Sequence, residues 1–204
     1  MSSKDPETRT RILEAAVQLL EAQAGKTVRM ADIARAAGIS RQAVYLHFAS
    51  RAELLAAATR YLDDRLGLDQ RLARSRAAAS GTERLDAYIE FWGNYIPKIH
   101  GVARALLVAQ EADEAAAAAW NERMAAMRDG CRAAIVALQA DGALSAGWSR
   151  REATDVLWTL LSVRNWEQLT QGCGWSSRKY IRRMQVVARR VFVDDRHATA
   201  EPVK

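Results

Sequence analysis

Proline is scarce in this 204-residue chain. It occurs at Pro6, Pro97 and Pro202, so long helices can run uninterrupted between them. Runs of β-branched residues are also scarce, while Ala, Arg, Leu and Glu dominate, which favours helix over strand. Cys131 and Cys173 are the two cysteines. Their spacing excludes a thiolate zinc site and their number excludes a disulfide scaffold; they suit a reducing cytoplasm. His47, His100 and His197 are the only histidines, and none has a carboxylate or nucleophile at an interpretable spacing. No zinc signature, phosphate loop or nucleophile elbow is present, so no enzyme activity, cofactor or metal is expected. Charge breaks every apolar stretch before the ~18 residues that a membrane span needs. With no charged-then-apolar leader, a soluble cytoplasmic protein is expected.

What is present is apolar and basic. Half the residues are hydrophobic and the formal net charge is +6, with an isoelectric point near 9.7. A substantial core is therefore available, and the charge suits a polyanionic partner. The apolar spacing predicts an all-α fold of about nine helices. Asp5-Pro6 opens the first, which buries Ile12, Leu13, Ala16, Leu19 and Leu20 and stops near Gly25. Three capping boxes, Ser50 with Glu53, Ser80 with Glu83 and Ser149 with Glu152, open later helices. Of these, the first is expected to run to about residue 73, the second to end at Pro97 before a short helix through Leu107, and the third to continue to Gly172. Residues 1–50 are expected to form one domain, joined through a linking helix over 51–73 to a second domain over 74–193, with a frayed tail over 194–204.

Residues 30–48 carry the chemistry. Met30, Ile33, Ala34 and Ala37 share one face of a short helix. Gly38 stands where the chain must turn sharply, Ile39 plugs the turn, and Ser40 can cap a second helix whose inner face is Val44 and Phe48. Two short helices joined by a glycine-containing turn describe a helix-turn-helix. Arg41 and Gln42 occupy the first turn of the second helix, the end that enters the major groove. Arginine pairs bidentately with guanine and glutamine with adenine. Tyr45, His47 and Arg51 can donate to phosphates, which sets register without reading sequence.

On these residues the N-terminal ~65 residues resemble the DNA-binding domain of TetR-family regulators. The resemblance runs through Thr10–Ala16, Asp32-Ile33-Ala34, Ala37-Gly38-Ile39-Ser40, Tyr45-Leu46-His47-Phe48 and the Arg51, Glu53, Leu54, Leu55 start of the linking helix. It implies a double-stranded DNA operator as partner and adds Ser40 and Arg29 to the phosphate contacts. Arg29 stands where the family usually has a capping Thr or Ser, so the cap must come from Thr27 or water. Arg51 replaces a common lysine. Ala43 replaces Thr or Ser and offers a methyl contact to thymine among the base contacts.

The later helices resemble the family in number and order alone. The resemblance implies a homodimer through the last two helices and a pocket for a small-molecule inducer. Trp92, Tyr95, Trp120, Met124, Met127, Trp158 and Trp166 are candidates for pocket or for plain core. Ser162 and Asn165 join them as polar side chains on an apolar face, where a buried amide needs a ligand, a water or the other subunit as partner. Leu157, Leu160, Leu161, Tyr180, Met184, Val187 and Val191 suit a four-helix dimer interface. A dimer also follows from the DNA side, because one short recognition helix reads too few base pairs. The outer face of the last helix (Arg178, Lys179, Arg182, Arg183, Arg189, Arg190) fits a solvated surface or a second nucleic-acid surface. A repressor released from a palindromic operator is the expectation from resemblance, with an activator of the same fold as alternative. A helical adaptor without DNA binding would lack the first-turn donors, and they are present.

Overall fold

Serine side chains start the helices where the sequence places them. In the computed structural model, which describes residues 5–22 and 27–194, Ser50 Oγ accepts from the Glu53 amide at 3.1 Å and Ser80 Oγ from the Glu83 amide at 3.2 Å. Ser149 and Glu152 form the full reciprocal box. In the first two pairs the glutamate reaches one residue further back, to the Ala49 amide at 2.8 Å and the Ala79 amide at 3.0 Å.

Ten α-helices and one π-helical turn are present among the described residues. They are α1 (Pro6–Ala22), α2 (Met30–Ala36), α3 (Arg41–His47), α4 (Arg51–Arg65), α5 (Leu68–Arg76), α6 (Gly81–Ala109), α7 (Glu114–Ala140), α8 (Arg150–Leu160), α9 (Val163–Glu167), the π-helical turn Gln168–Gly172, and α10 (Ser177–Phe192). The expected helix stop at Gly25 and the expected frayed tail beyond residue 194 lie outside the described residues.

Three expectations need correction. The linking helix does not run to residue 73: α4 ends at Arg65, with Leu66 as its cap and Gly67 at φ +67°. That left-handed conformation favours glycine and closes the helix through Gly67 N–H donating to the Asp64 carbonyl at 3.0 Å. Pro97 does not end its helix but lies inside α6. It is exposed, while Tyr95, Ile96, Val102 and Leu106 are buried on either side of it, and that burial outweighs the backbone hydrogen bond a proline removes. The segment after Ser149 is not one helix. It breaks after Leu160, and Ser162 caps α9 by accepting from the Asn165 amide at 3.3 Å.

The chain divides into two compact units. Residues 1–68 and 99–124 belong to the first, and 69–98 and 125–204 to the second, so α6 and α7 each contribute to both. In the first unit α1, α2, α3 and α4 bury Ile12, Leu13, Val17, Ile33, Val44, Phe48, Leu54, Leu55 and Leu62 together with Val102, Leu106 and Ala119 from α6 and α7. The second unit buries Leu85, Ile89, Tyr95 and Ile96 of α6, Cys131, Ile135 and Leu138 of α7, Leu157 of α8, and Tyr180, Ala188 and Phe192 of α10. Its end is fastened by the indole N–H of Trp148, which donates to the Val191 carbonyl at 2.6 Å, and by the bridge between Leu144 and Val193.

Candidate nucleic-acid interface

Helix α2 begins without a side-chain cap: Arg29 precedes it in extended conformation, exposed and making no cap bond. Its carbonyl accepts from the Asp32 and Ile33 amides at 3.0 and 3.1 Å. The turn then forms as the sequence requires. Gly38 takes φ +69° with open space where a Cβ would lie, so the backbone conformation itself selects glycine. The Ile39 amide donates to the Ala34 carbonyl at 3.0 Å, and Ser40 Oγ accepts from the Ala43 amide at 3.1 Å to start α3. Ala34 is 3% exposed, and Val44 and Phe48 anchor the inner side of α3.

The outer side of α3 is free of the core. Arg41 and Gln42 are exposed, Ala43 is half-buried, and Tyr45 is exposed. Arg41 leans back on its own helix, with Nη2 donating to the Tyr45 hydroxyl at 3.4 Å and the guanidinium 5.6 Å from the Tyr45 ring centre. Two neighbours escaped the sequence reading. Leu46 is exposed one turn after Gln42, and an apolar side chain there can meet a thymine methyl group. Arg9 of α1 is exposed with its guanidinium 5.0 Å from the Phe48 ring centre. Only the fold brings Arg9 to the end of α3, so local spacing held no signal for it.

Two expected phosphate donors are constrained, one by enclosure and one by an ion pair. Nε2 of His47 is enclosed without a hydrogen-bond partner among the described residues, so that nitrogen does not reach a phosphate in this conformation. The Arg51 guanidinium forks over Asp113, with Nη1 donating to Oδ2 at 2.6 Å and Nη2 to Oδ1. Nη1 also donates to the Val28 carbonyl at 3.3 Å. Burial pushes the Asp113 carboxyl up, but the Arg51 bonds and the Ala116 and Ala115 amides outweigh it and leave it below the ordinary carboxylate value. The phosphate role expected of Arg51 therefore competes with a tight, largely desolvated ion pair.

Residues 12–58 match the tetR family of bacterial regulatory proteins. Over those residues the chain is similar to that family. A nucleoid occlusion factor, SlmA, from Marinomonas sp. (strain MWYL1) is 35% identical over 66 residues, 32% of this chain and 34% of that protein. An HTH-type transcriptional regulator, BetI, from Rhizobium meliloti (strain 1021) is 35% identical over 85 residues, 42% of this chain and 41% of that protein. The chain thus spans about a third to two fifths of the length of the curated relatives it matches. Over nearly the full length the fold is that of the transcriptional regulator FadR from Bacillus subtilis, solved in complex with stearoyl-CoA. The TM-score there is 0.68 at 14% identity, covering 89% of this chain and 96% of that one.

Beyond the matched residues 12–58, the candidate pocket residues separate. Trp120 and Met124 belong to the first unit, and the others to the second. Trp92, Tyr95, Met127 and Trp166 are buried and Trp158 is half-buried. Tyr88, Phe91, Trp92 and Tyr95 pack ring against ring, with Phe91 stacked on Tyr95 at 5.0 Å between centres. Asn165 and Ser162 are not an unpaired polar pair in the core. Both are half-exposed, Ser162 is the cap described above, and Asn165 Nδ2 donates to the Thr159 carbonyl at 2.7 Å. A cleft of about 170 Å³ opens in the second unit, lined by Arg71, Arg74, Ala87, Glu90, Phe91, Asn94 and Tyr95. Tyr95 is the one expected pocket residue on its wall.

The expected dimer residues also divide. Tyr180, Met184, Ala188 and Phe192 form the buried stripe of α10, and Leu157 and Leu161 are covered within the same chain. Those side chains are packed within the chain. Leu160, Val187 and Val191 remain half-exposed. A hydrophobic pattern marks both an intrachain stripe and an intermolecular one, and only the packed chain separates them.

Proposed function

We propose that the chain is a sequence-specific, DNA-binding transcriptional regulator, acting as a homodimer on a palindromic operator and as a repressor released by a small molecule. One observation carries the reading. Arg41 and Gln42 stand exposed on the first turn of a helix whose Ser40 cap, Gly38 turn and Val44–Phe48 anchor give it a fixed place. Such a pair can discriminate guanine and adenine edges in the major groove. The tetR-family match over residues 12–58 supports it, as does the net charge of +6. The half-exposed Leu160 of α8 and Val187 and Val191 of α10 are apolar positions open to a second copy.

The ligand half of the reading rests on the second unit. Its cleft of about 170 Å³ is below the ~300 Å³ typical of drug-sized ligands. A regulator of this kind therefore opens or reshapes its aromatic cluster to admit an inducer. The Tyr180 hydroxyl, buried without an acceptor among the described residues, is a donor such a ligand can satisfy. The fold shared with FadR, solved in complex with stearoyl-CoA, supports a ligand-binding role without naming the ligand.

Selection of bound duplexes from a random pool tests the reading. A retained palindrome with two half-sites supports operator recognition and dimerisation together. A retained pool without a shared sequence overturns sequence-specific recognition, and a monomer by light scattering at micromolar concentration overturns the homodimer. Placing the selected site between promoter and reporter separates repressor from activator by the sign of the change.

A further inference from the structure

We infer that Asp113 is a positioning residue for DNA recognition, acting through Arg51 to hold both ends of the helix-turn-helix. The inference rests on the DNA-binding reading and concerns how the recognition helix is kept in place.

Arg51 is the first residue of α4 and follows the cap Ser50 directly after α3. Its guanidinium reaches in two directions. Both terminal nitrogens donate to the Asp113 carboxylate, and Nη1 also donates to the Val28 carbonyl. Val28 is 2% exposed and lies just before α2. The helix-turn-helix of residues 30–48 is thus bracketed: the chain entering it and the chain leaving it meet on one guanidinium.

Asp113 fixes that guanidinium from outside the helix-turn-helix. Its residue is 7% exposed, and Oδ1 also accepts from the Ala115 and Ala116 amides at 3.0 and 3.1 Å. The carboxylate therefore caps α7 while it receives a planar, two-point bond from arginine, the geometry in which that pair is strongest. It cannot follow Arg51 to a new position without uncapping α7. Further along the same two helices, Arg60 Nη1 donates to Glu122 at 2.8 Å and Arg123 pairs with Asp63. α4 and α7 are consequently held in one parallel register within the first unit, with the Arg51–Asp113 pair at the recognition end.

A phosphate role for Arg51 and the positioning role make opposite predictions for Asp113. If the carboxylate is a bystander, Asp113→Asn removes a negative charge from a DNA-binding unit and leaves binding unchanged or tighter. If it positions Arg51, the same change weakens recognition, although asparagine can still cap α7.

The test uses the full chain, with Asp113→Asn, Arg51→Met and the double variant. Binding to the selected operator and to a random duplex is measured across a salt series, and amide hydrogen exchange is followed in the free protein. Positioning predicts that each single variant loses about tenfold in operator affinity, and that the double loses no more than the worse single, as coupled partners do. It also predicts an unchanged salt slope for Arg51→Met and faster exchange over residues 40–48 in both single variants. The inference is overturned if Asp113→Asn binds the operator as well as the parent, if Arg51→Met flattens the salt slope by about one charge, or if exchange over 40–48 is unaltered. Circular dichroism identifies a variant that fails to fold, and Asp113→Ser, which also caps α7 without a fork for Arg51, then takes its place. Failure of the parent chain to select any sequence refutes the functional reading instead, and the exchange measurement still decides the clasp.

Discussion

The Tyr88 hydroxyl occupies the space that a side chain on Gly130 would need. It donates to the Met127 carbonyl at 2.9 Å, and a Cβ on Gly130 would collide with the Tyr88 hydroxyl oxygen and lie 2.7 Å from the ring carbon bearing it. Helix α7 can therefore approach α6 closely at this point in the second unit, and one hydrogen bond across the approach satisfies a buried phenol.

Two effects oppose each other in Gly130→Ala. Alanine inside a helix gains about 1 kcal/mol over glycine from propensity, whereas forcing a group into a packed core costs about 1–3 kcal/mol. Tyr88 is 4% exposed and bonded, so it has little room to yield and the steric effect wins. The variant should melt several degrees below the parent. An equal or higher melting temperature would mean that the ring moves aside freely.

The two thiols should differ sharply. Burial pushes the Cys131 thiol up to about 12, only partly opposed by its bond with Tyr88, while Cys173 is exposed beside the π-helical turn. The thiolate is the reactive form. A thiol reagent at pH 8 should label one cysteine rapidly in the folded protein and the second only after denaturation. Prompt labelling of both would show that the core around Cys131 opens readily.

The capping box at α8 links stability to pH. The Ser149 hydroxyl, and then the Ser149 amide, hold the Glu152 carboxyl below its ordinary value. A depressed carboxyl contributes stability that is complete above its unfolded value of about 4.3 and is lost as pH falls through the folded value. Ser149→Ala removes the cap and should cost about 1 kcal/mol at pH 7. The difference in melting temperature between parent and variant should shrink at pH 3, without vanishing, because Ser149 Oγ still accepts from the Glu152 amide. A gap that widens in acid would contradict this direction of shift.

Local signals were the legible ones. Ser50, Ser80 and Ser149 start helices because a cap needs only a residue and its third neighbour, and Gly38 and Ser40 frame the turn for the same reason. The lost signals are tertiary. Pro97 reads as a terminator until the burial around it is known, and Ser162 reads as a buried polar residue until the helix breaks beneath it. Arg51 reads as a free cation because its partner, Asp113, is distant in sequence. In α10, Tyr180 and Met184 look like Val187 and Val191 in any periodicity, yet only the latter pair is left half-exposed.

Base reading is assigned to Arg41 and Gln42, and their surroundings give the assignment a distinct signature. Arg41 rests against Tyr45 in the free protein and must leave that ring to reach a guanine edge, whereas Gln42 is exposed. Arg41→Ala and Gln42→Ala should each cost ~1–3 kcal/mol on the selected operator and little on a random duplex. Tyr45→Phe removes the hydroxyl alone, so it should weaken both duplexes alike if Tyr45 donates to phosphate. Equal losses on both duplexes for Arg41→Ala would move that arginine to the backbone contacts and leave Gln42 and Ala43 to read sequence. Titrations of the three variants on the two duplexes, at one fixed salt concentration, separate these cases.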